Sequence, residues 1–313
     1  MVLILRITNF KLNIINQMSY YNIKTIVYLD GEFKSLKNAE VNPFSQTLHY
    51  GLGVFDGIRS YQTENGIKLF KAREHFERLK ASCQKINLPF TWDVKQLTED
   101  AYKLLDNNGL GNAYIRPIVY ADPNMSLSKP TGTHIMLMAW EWDSYFGDKL
   151  LKTCISSYQK PDAKSCLIQH KITGNYVNST LAAIAAKEQG FDEALLLDNQ
   201  GFVAQSPGAN IFIEKDGKLY TPPTGNILPG ITRKTIMTIS SILEIDVQEK
   251  QFTAADLKTA DGAFLCGTAT EIIGIESVDD AIFEMPFQDS LGAILKRAYR
   301  SLVMDKNNYE VLI

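Results

Sequence analysis

One stretch constrains this chain more than any other: His170-Lys171-Ile172-Thr173-Gly174-Asn175-Tyr176 sets a single lysine where a run of apolar residues gives way to a helix. Before it, Ser165-Cys166-Leu167-Ile168-Gln169 predicts a short strand. After it, Val177, Thr180, Leu181 and Ile184 recur at helical spacing until Gly190 offers a C-cap. A lysine at such a junction can face a pocket, and partial burial moves its amine toward the neutral form that condenses with an aldehyde. The ordinary alternative is a solvated surface charge, the first reading for any one of 32 Lys and Arg residues. Lys171 is singled out by the segments around it.

A chain of 313 residues, 45% hydrophobic and 21% charged, is long enough for two domains with buried cores and is ordinary for a globular protein. Its 32 basic and 35 acidic residues give a net charge of −3, so no global field favours nucleic acid or an anionic membrane, and small-molecule chemistry is expected. Cys83, Cys154, Cys166 and Cys266 form no Cys-x-x-Cys pair and are read as reduced buried thiols of a cytoplasmic protein. His49, His75, His134 and His170 lack metal-ligand spacing, so no metal is expected. No segment approaches a membrane span. Residues 1–17 are read as an upstream extension from a misassigned start codon, with a weak amphipathic targeting segment as the alternative.

In chain order, Thr25–Leu29 and Gly31–Phe33 predict a hairpin around Asp30-Gly31. Tyr50-Gly51-Leu52-Gly53-Val54-Phe55-Asp56-Gly57-Ile58-Arg59 mixes aromatics, which can wall an apolar pocket or simply fill a core, with glycines that let backbone approach a ligand. Arg73-Glu74-His75-Phe76-Glu77-Arg78-Leu79 opens a helix to about Ile86, and an arginine near a helix start suits an anion. A helix from about Val94 to Asn107 precedes the strand Ala113–Tyr120, where Pro117 suggests a sheet edge or a strand end. The strand His134–Ala139 follows, then Trp140–Tyr145, with an interdomain boundary at Phe146-Gly147-Asp148. Strands at Glu193–Asp198, Phe202–Gln205, Asn210–Glu214 and Lys218–Thr221 lead to Leu228-Pro229-Gly230-Ile231-Thr232-Arg233. That segment starts a helix whose free N–H groups make an anion site, with Thr232 as a candidate N-cap. Gly262–Ile272 reads as strand, small-residue turn at Gly267-Thr268-Ala269, and strand.

These segments, from about Val27 to Val278, resemble in order those of the class IV pyridoxal-phosphate enzymes, most closely the branched-chain amino-acid aminotransferases. The resemblance implies an α+β fold of two domains, 1–147 smaller and 148–313 larger and carrying the cofactor lysine, in a homodimer or higher homo-oligomer with the site shared between subunits. It implies pyridoxal 5'-phosphate on Lys171, with Tyr176 and Gln205 near the ring and Arg73, Ile231, Thr232 and Thr268 at the phosphate. Substrate would meet Tyr50, Phe55, Tyr114, Arg116, Trp142, Tyr145, Thr268 and Ala269, with Arg116 on the distal carboxylate of glutamate or 2-oxoglutarate. The implied reaction is amino transfer from leucine, isoleucine or valine to 2-oxoglutarate.

The chain departs from the family at the cofactor ring. Gln205 stands where the family has a glutamate that keeps the pyridine nitrogen protonated, and Ala209 where many members have a second. A glutamine carries no charge to stabilise a pyridinium. Either amino transfer is attenuated or another acid supplies the charge. D-amino-acid transamination, aminodeoxychorismate-type lyase chemistry and cofactor binding with little catalysis remain as alternatives.

Overall fold

The computed structural model describes residues 20–142 and 149–305. The expected extension at 1–17, Tyr145 and the expected boundary at 146–148 lie outside them. Asp30 and Gly31 adopt positive φ of 50° and 100°, as a two-residue turn between strands requires, and the predicted hairpin forms. Its strands are β1 (Ile26–Leu29) and β2 (Glu32–Ser35). A short helix α1 (Gln46–Tyr50), capped by Ser45, leads to β3 (Gly53–Phe55), β4 (Ile58–Thr63) and β5 (Gly66–Leu69). Next come α2 (Ala72–Lys85) and α3 (Val94–Asn108), then β6 (Ala113–Ala121) and β7 (Thr133–Glu141). The sheet runs β2-β1-β7-β6-β4-β5, with β3 also paired to β6. On it, α2 and α3 bury Phe76, Leu79, Leu97 and Leu104. Each such side chain taken from water contributes about 1.5–3 kcal/mol.

Pro117 does not mark an edge, since β6 is flanked along its whole length by β7. On its other side, β3 pairs with residues 118–120 and β4 with residues 113–115. Pro117 falls in the gap between them, where its carbonyl accepts from Asp56 N at 3.0 Å and its missing N–H breaks no ladder bond. Asp56 and Gly57 join β3 to β4 at this gap, next to Phe55, whose N–H donates to Lys171 O.

The second unit starts at β8 (Leu151–Ile155) and continues through α4 (Tyr176–Glu188), β9 (Glu193–Leu197), β10 (Val203–Gln205), β11 (Asn210–Lys215) and β12 (Lys218–Thr221). It ends with α5 (Ile231–Ile242), β13 (Val247–Glu249), α6 (Ala254–Lys258), β14 (Gly262–Gly267), β15 (Glu271–Val278), β16 (Ala281–Ile282) and α7 (Leu291–Val303). The strand order is β10-β9-β8-β15-β14-β11-β12-β13, with β16 on β15. Ile236 of α5 and Leu295 of α7 cover Phe212 and Phe264 on one face, while Leu195, Ile211 and Leu265 form a second core. Tyr61 and Phe70 from the first sheet join Tyr299 of α7, so the two units share packing beside the site.

Two sequence expectations are overturned near the lysine. Residues 165–169 form turns rather than a strand: Ser165 N and Cys166 N both bond Asp162 O, and His170 N bonds Leu167 O at 3.0 Å, so local partners satisfy the backbone. Helix α4 forms as expected, with Gly190 at φ 85° just beyond it, but Val177, Leu181 and Ile184 are exposed. Its buried face is Ser179, Ala182 and Ala186, small residues that let α4 lie close to β9.

Candidate active site

Lys171 is held from both ends. Its carbonyl accepts from Phe55 N at 3.0 Å, and Ile172 forms a bridge with Val54, so the lysine segment adds to the β3 edge. Downstream, Gly174 N and the Thr173 hydroxyl both donate to Gly51 O, at 3.0 and 2.6 Å. Gly51 sits at φ 66°, and a Cβ there would lie 2.6 Å from Gly174 Cα, so the close approach requires glycine. The Lys171 Nζ donates to the Tyr176 hydroxyl at 2.6 Å and lies 4.7 Å from the Phe55 ring centroid. Burial, with the Arg78 and Arg116 charges, outweighs the pull of Asp56 and lowers the amine to about 8. Burial pushes the Tyr176 hydroxyl up to about 12.

A cavity of about 60 Å³ opens at this amine, lined by Lys171, Tyr176, Tyr114, Gln205, Ile231, Thr232, Thr268 and Ala269 among others. Arg73 is not among them: it is exposed on α2 with Glu74 and Glu77. Arg78 lines the cavity instead, because it flanks the buried face made by His75, Phe76, Leu79 and Ser82. The motif holds both arginines, and helical spacing from His75 distinguishes them. Arg78 donates from Nε and Nη2 to the two Asp56 oxygens at 2.8 and 2.7 Å, a bidentate pair, and His75 contacts Asp56 at 2.8 Å. Burial opposes the Asp56 charge, yet Arg78 and His75 hold the carboxyl well below the usual range.

At another wall, α5 begins at Gly230 with no side-chain cap, so Thr232 is not the N-cap; it is buried in the first turn. The N–H groups of this turn have no intrahelical acceptors. A side chain at Gly230 would strike the Asn210 carboxamide, and one at Gly57 would strike the Tyr114 hydroxyl. This cradle, a bidentate arginine and an uncapped helix start beside one buried amine, fits an aldehyde-bearing phosphate ester.

Arg116 lies among aromatic rings beside the site, its guanidinium 4.8, 5.3 and 5.8 Å from the rings of Phe55, Tyr114 and Trp140. Its Nε is buried and, among the described residues, has no hydrogen-bond partner. Trp142 is buried, its ring 5.2 Å from that of Tyr114, and its Nε1 donates to Ala269 O at 3.3 Å. Tyr50 is not brought to this cavity: it is 45% exposed at the end of α1, with its hydroxyl on Met125 O. Among the described residues, no group of three His, Cys, Asp or Glu could hold a metal, and no helix is long and apolar enough to cross a membrane.

The family described as class IV amino-transferase matches residues 53–278. The branched-chain-amino-acid aminotransferase of Pseudomonas aeruginosa is 35% identical over 295 residues, covering 92% of this chain and 96% of its own. The crystal structure of the branched-chain aminotransferase of Thermoproteus uzoniensis with norvaline superposes with a TM-score of 0.87 at 33% identity, over 91% of this chain and 96% of that one. The branched-chain amino acid aminotransferase of Thermobaculum terrenum in its PLP-form gives a TM-score of 0.85 at 29% identity, over 91% of this chain and 95% of that one. With its mixed helix-and-sheet fold and its buried lysine, the chain belongs to the class IV aminotransferase family.

Proposed function

We propose that this chain is a pyridoxal-phosphate-dependent transaminase moving the amino group of branched-chain L-amino acids to 2-oxoglutarate, and that it works as a homodimer divided near residues 147 and 148. The observation that carries this reading is the cavity in which a buried amine lowered to about 8, Arg78 and the uncapped start of α5 converge. Bound there, pyridoxal phosphate supplies an aldehyde for the lysine and an electron-withdrawing ring that acidifies the Cα–H of an amino acid. Lys171 would hold the cofactor through Nζ and, once the incoming amino group displaces that bond and frees the amine, would take the Cα proton as the base, with the Tyr176 hydroxyl fixing its position. Arg78, Ile231, Thr232 and Thr268 hold the phosphate, replacing the role expected of Arg73. Phe55, Tyr114 and Trp142 wall the apolar side chain, the Thr268-Ala269 turn binds the α-carboxylate, and Arg116 takes the distal carboxylate of 2-oxoglutarate. Gln205 attenuates the rate compared with an acid at this position, because an uncharged partner does not hold the ring nitrogen protonated and a neutral pyridine withdraws fewer electrons.

The test is an overall assay of the loaded enzyme with 2-oxoglutarate as acceptor. L-leucine, L-isoleucine and L-valine should each yield glutamate and the matching 2-oxo acid. Faster turnover of D-alanine, or cleavage of an amino acid without an acceptor, would overturn the reading in favour of another class IV reaction.

A further inference from the structure

Among the described residues, no acid takes the place of the family glutamate. Gln205 lies between two cavities: the one at Lys171, and a smaller one of about 10 Å³ behind it, bounded by Lys160, His170, Tyr176, Ser179 and Leu228. The described residues lining either cavity include no Asp or Glu, and Ala209, at the position of a second family glutamate, faces the first. Asp56, the nearby carboxylate, spends both oxygens on Arg78 and His75.

The orientation of the Gln205 carboxamide is fixed by the backbone. Leu228 N–H donates to Oε1 at 2.7 Å, which a flipped amide could not accept, and Nε2 donates one hydrogen to Ser206 O at 3.2 Å. The remaining Nε2 hydrogen is a donor, and a donor serves a nitrogen with a free lone pair rather than a protonated one. Lys160 adds a second influence. It is half-buried at the smaller cavity, and among the described residues its ammonium has no hydrogen bond or ion pair. Burial, helped by the Lys171 charge, lowers it to about 8, so it is still mostly a cation at pH 7. A cation near a second proton site opposes protonation there.

We propose that this end of the site is built to hold the pyridine nitrogen of the cofactor unprotonated, with Gln205 as its hydrogen-bond donor and Lys160 as a positioning cation that disfavours a pyridinium. The inference rests on the function proposed above and deepens it, because it names the ring form this chain selects. A carboxylate at this position would favour the charged form instead. The titratable groups lining the two cavities that meet at Gln205 are Arg78, Tyr114, Lys160, His170, Lys171, Tyr176 and Cys266, and none is a carboxylic acid.

Loading the full chain with pyridoxal 5'-phosphate labelled with ¹⁵N in the ring and recording the nitrogen chemical shift reads this state without turnover. The wild type should give the downfield signal of an unprotonated pyridine at neutral pH. Gln205→Glu should raise the proton affinity of the nitrogen about ten- to a hundredfold and move the signal upfield. Lys160→Met should move it the same way by less, with a melting temperature equal to or above wild type, since an unpaired charge has been removed. An upfield, protonated signal in the wild type overturns the inference while leaving the function standing, and an unmoved signal in Gln205→Glu overturns it too. Failure of the chain to retain the labelled cofactor overturns the functional reading and the inference together.

Discussion

Arg73 and Arg78 share one helix and one motif, yet only Arg78 has its guanidinium organised, by two bonds to a buried carboxylate, and aimed at the cavity. Arg78→Ala should therefore weaken pyridoxal phosphate binding about ten- to a hundredfold, the loss of a charge-assisted hydrogen bond, measured by fluorescence titration of the apoprotein. Arg73→Ala should change it by no more than about twofold, as for an exposed residue away from the site. Equal losses in the two variants would contradict the assignment. Lys171 makes a separate prediction through pH. Its amine is lowered from an ordinary 10.5 to about 8, so the neutral fraction rises with pH through about 8 and saturates above it. The rate at which the apoprotein condenses with pyridoxal phosphate should climb about tenfold per pH unit below that point and then level. An inflection near 10.5 would mean that the lysine is solvated.

The lysine reaches its place because two backbone segments clamp it, one on β3 and one on Gly51. Gly51→Ala adds a Cβ 2.6 Å from Gly174 Cα at a residue with φ 66°, so both sterics and conformation oppose it. We expect a loss of about 1–3 kcal/mol, read by denaturant unfolding, together with weaker cofactor retention. Unchanged stability would show that the clamp is slack. The elements around this clamp are unevenly legible in the sequence. The Asp30-Gly31 hairpin, α2, α3 and the strand pair around Gly267-Thr268-Ala269 follow from turn residues and periodicity, which are local signals. Residues 165–169 imitate a strand through their apolar run, whereas Asp162 ties the backbone into turns. Pro117 imitates an edge because the gap between β3 and β4 is a property of three strands at once. Likewise, no local pattern places Lys160 beside Gln205, and the Asp56, His75 and Arg78 cluster is assembled from a sheet gap and a helix face.

At the scale of the whole molecule, neither sheet makes the site alone. The first contributes Phe55, Tyr114, Arg116 and, on its covering helix, Arg78; the second unit contributes Gln205, the start of α5 and the turn after β14. The lysine segment runs between them, bonded to β3 of the first sheet and continuing into α4 on the second. Most residues named from the motifs lie at or beside the cavity; Tyr50 and Arg73 do not, because whether a motif residue faces the cavity depends on this assembly. The molecule is arranged around one amine, that of Lys171. Borohydride reduction of the pyridoxal-phosphate-loaded protein, followed by proteolysis and mass mapping of the modified peptide, tests it most directly. A single modified residue, Lys171, is expected, with no covalent label in Lys171→Ala. Label on another lysine such as Lys160, or an undiminished label in Lys171→Ala, would contradict it.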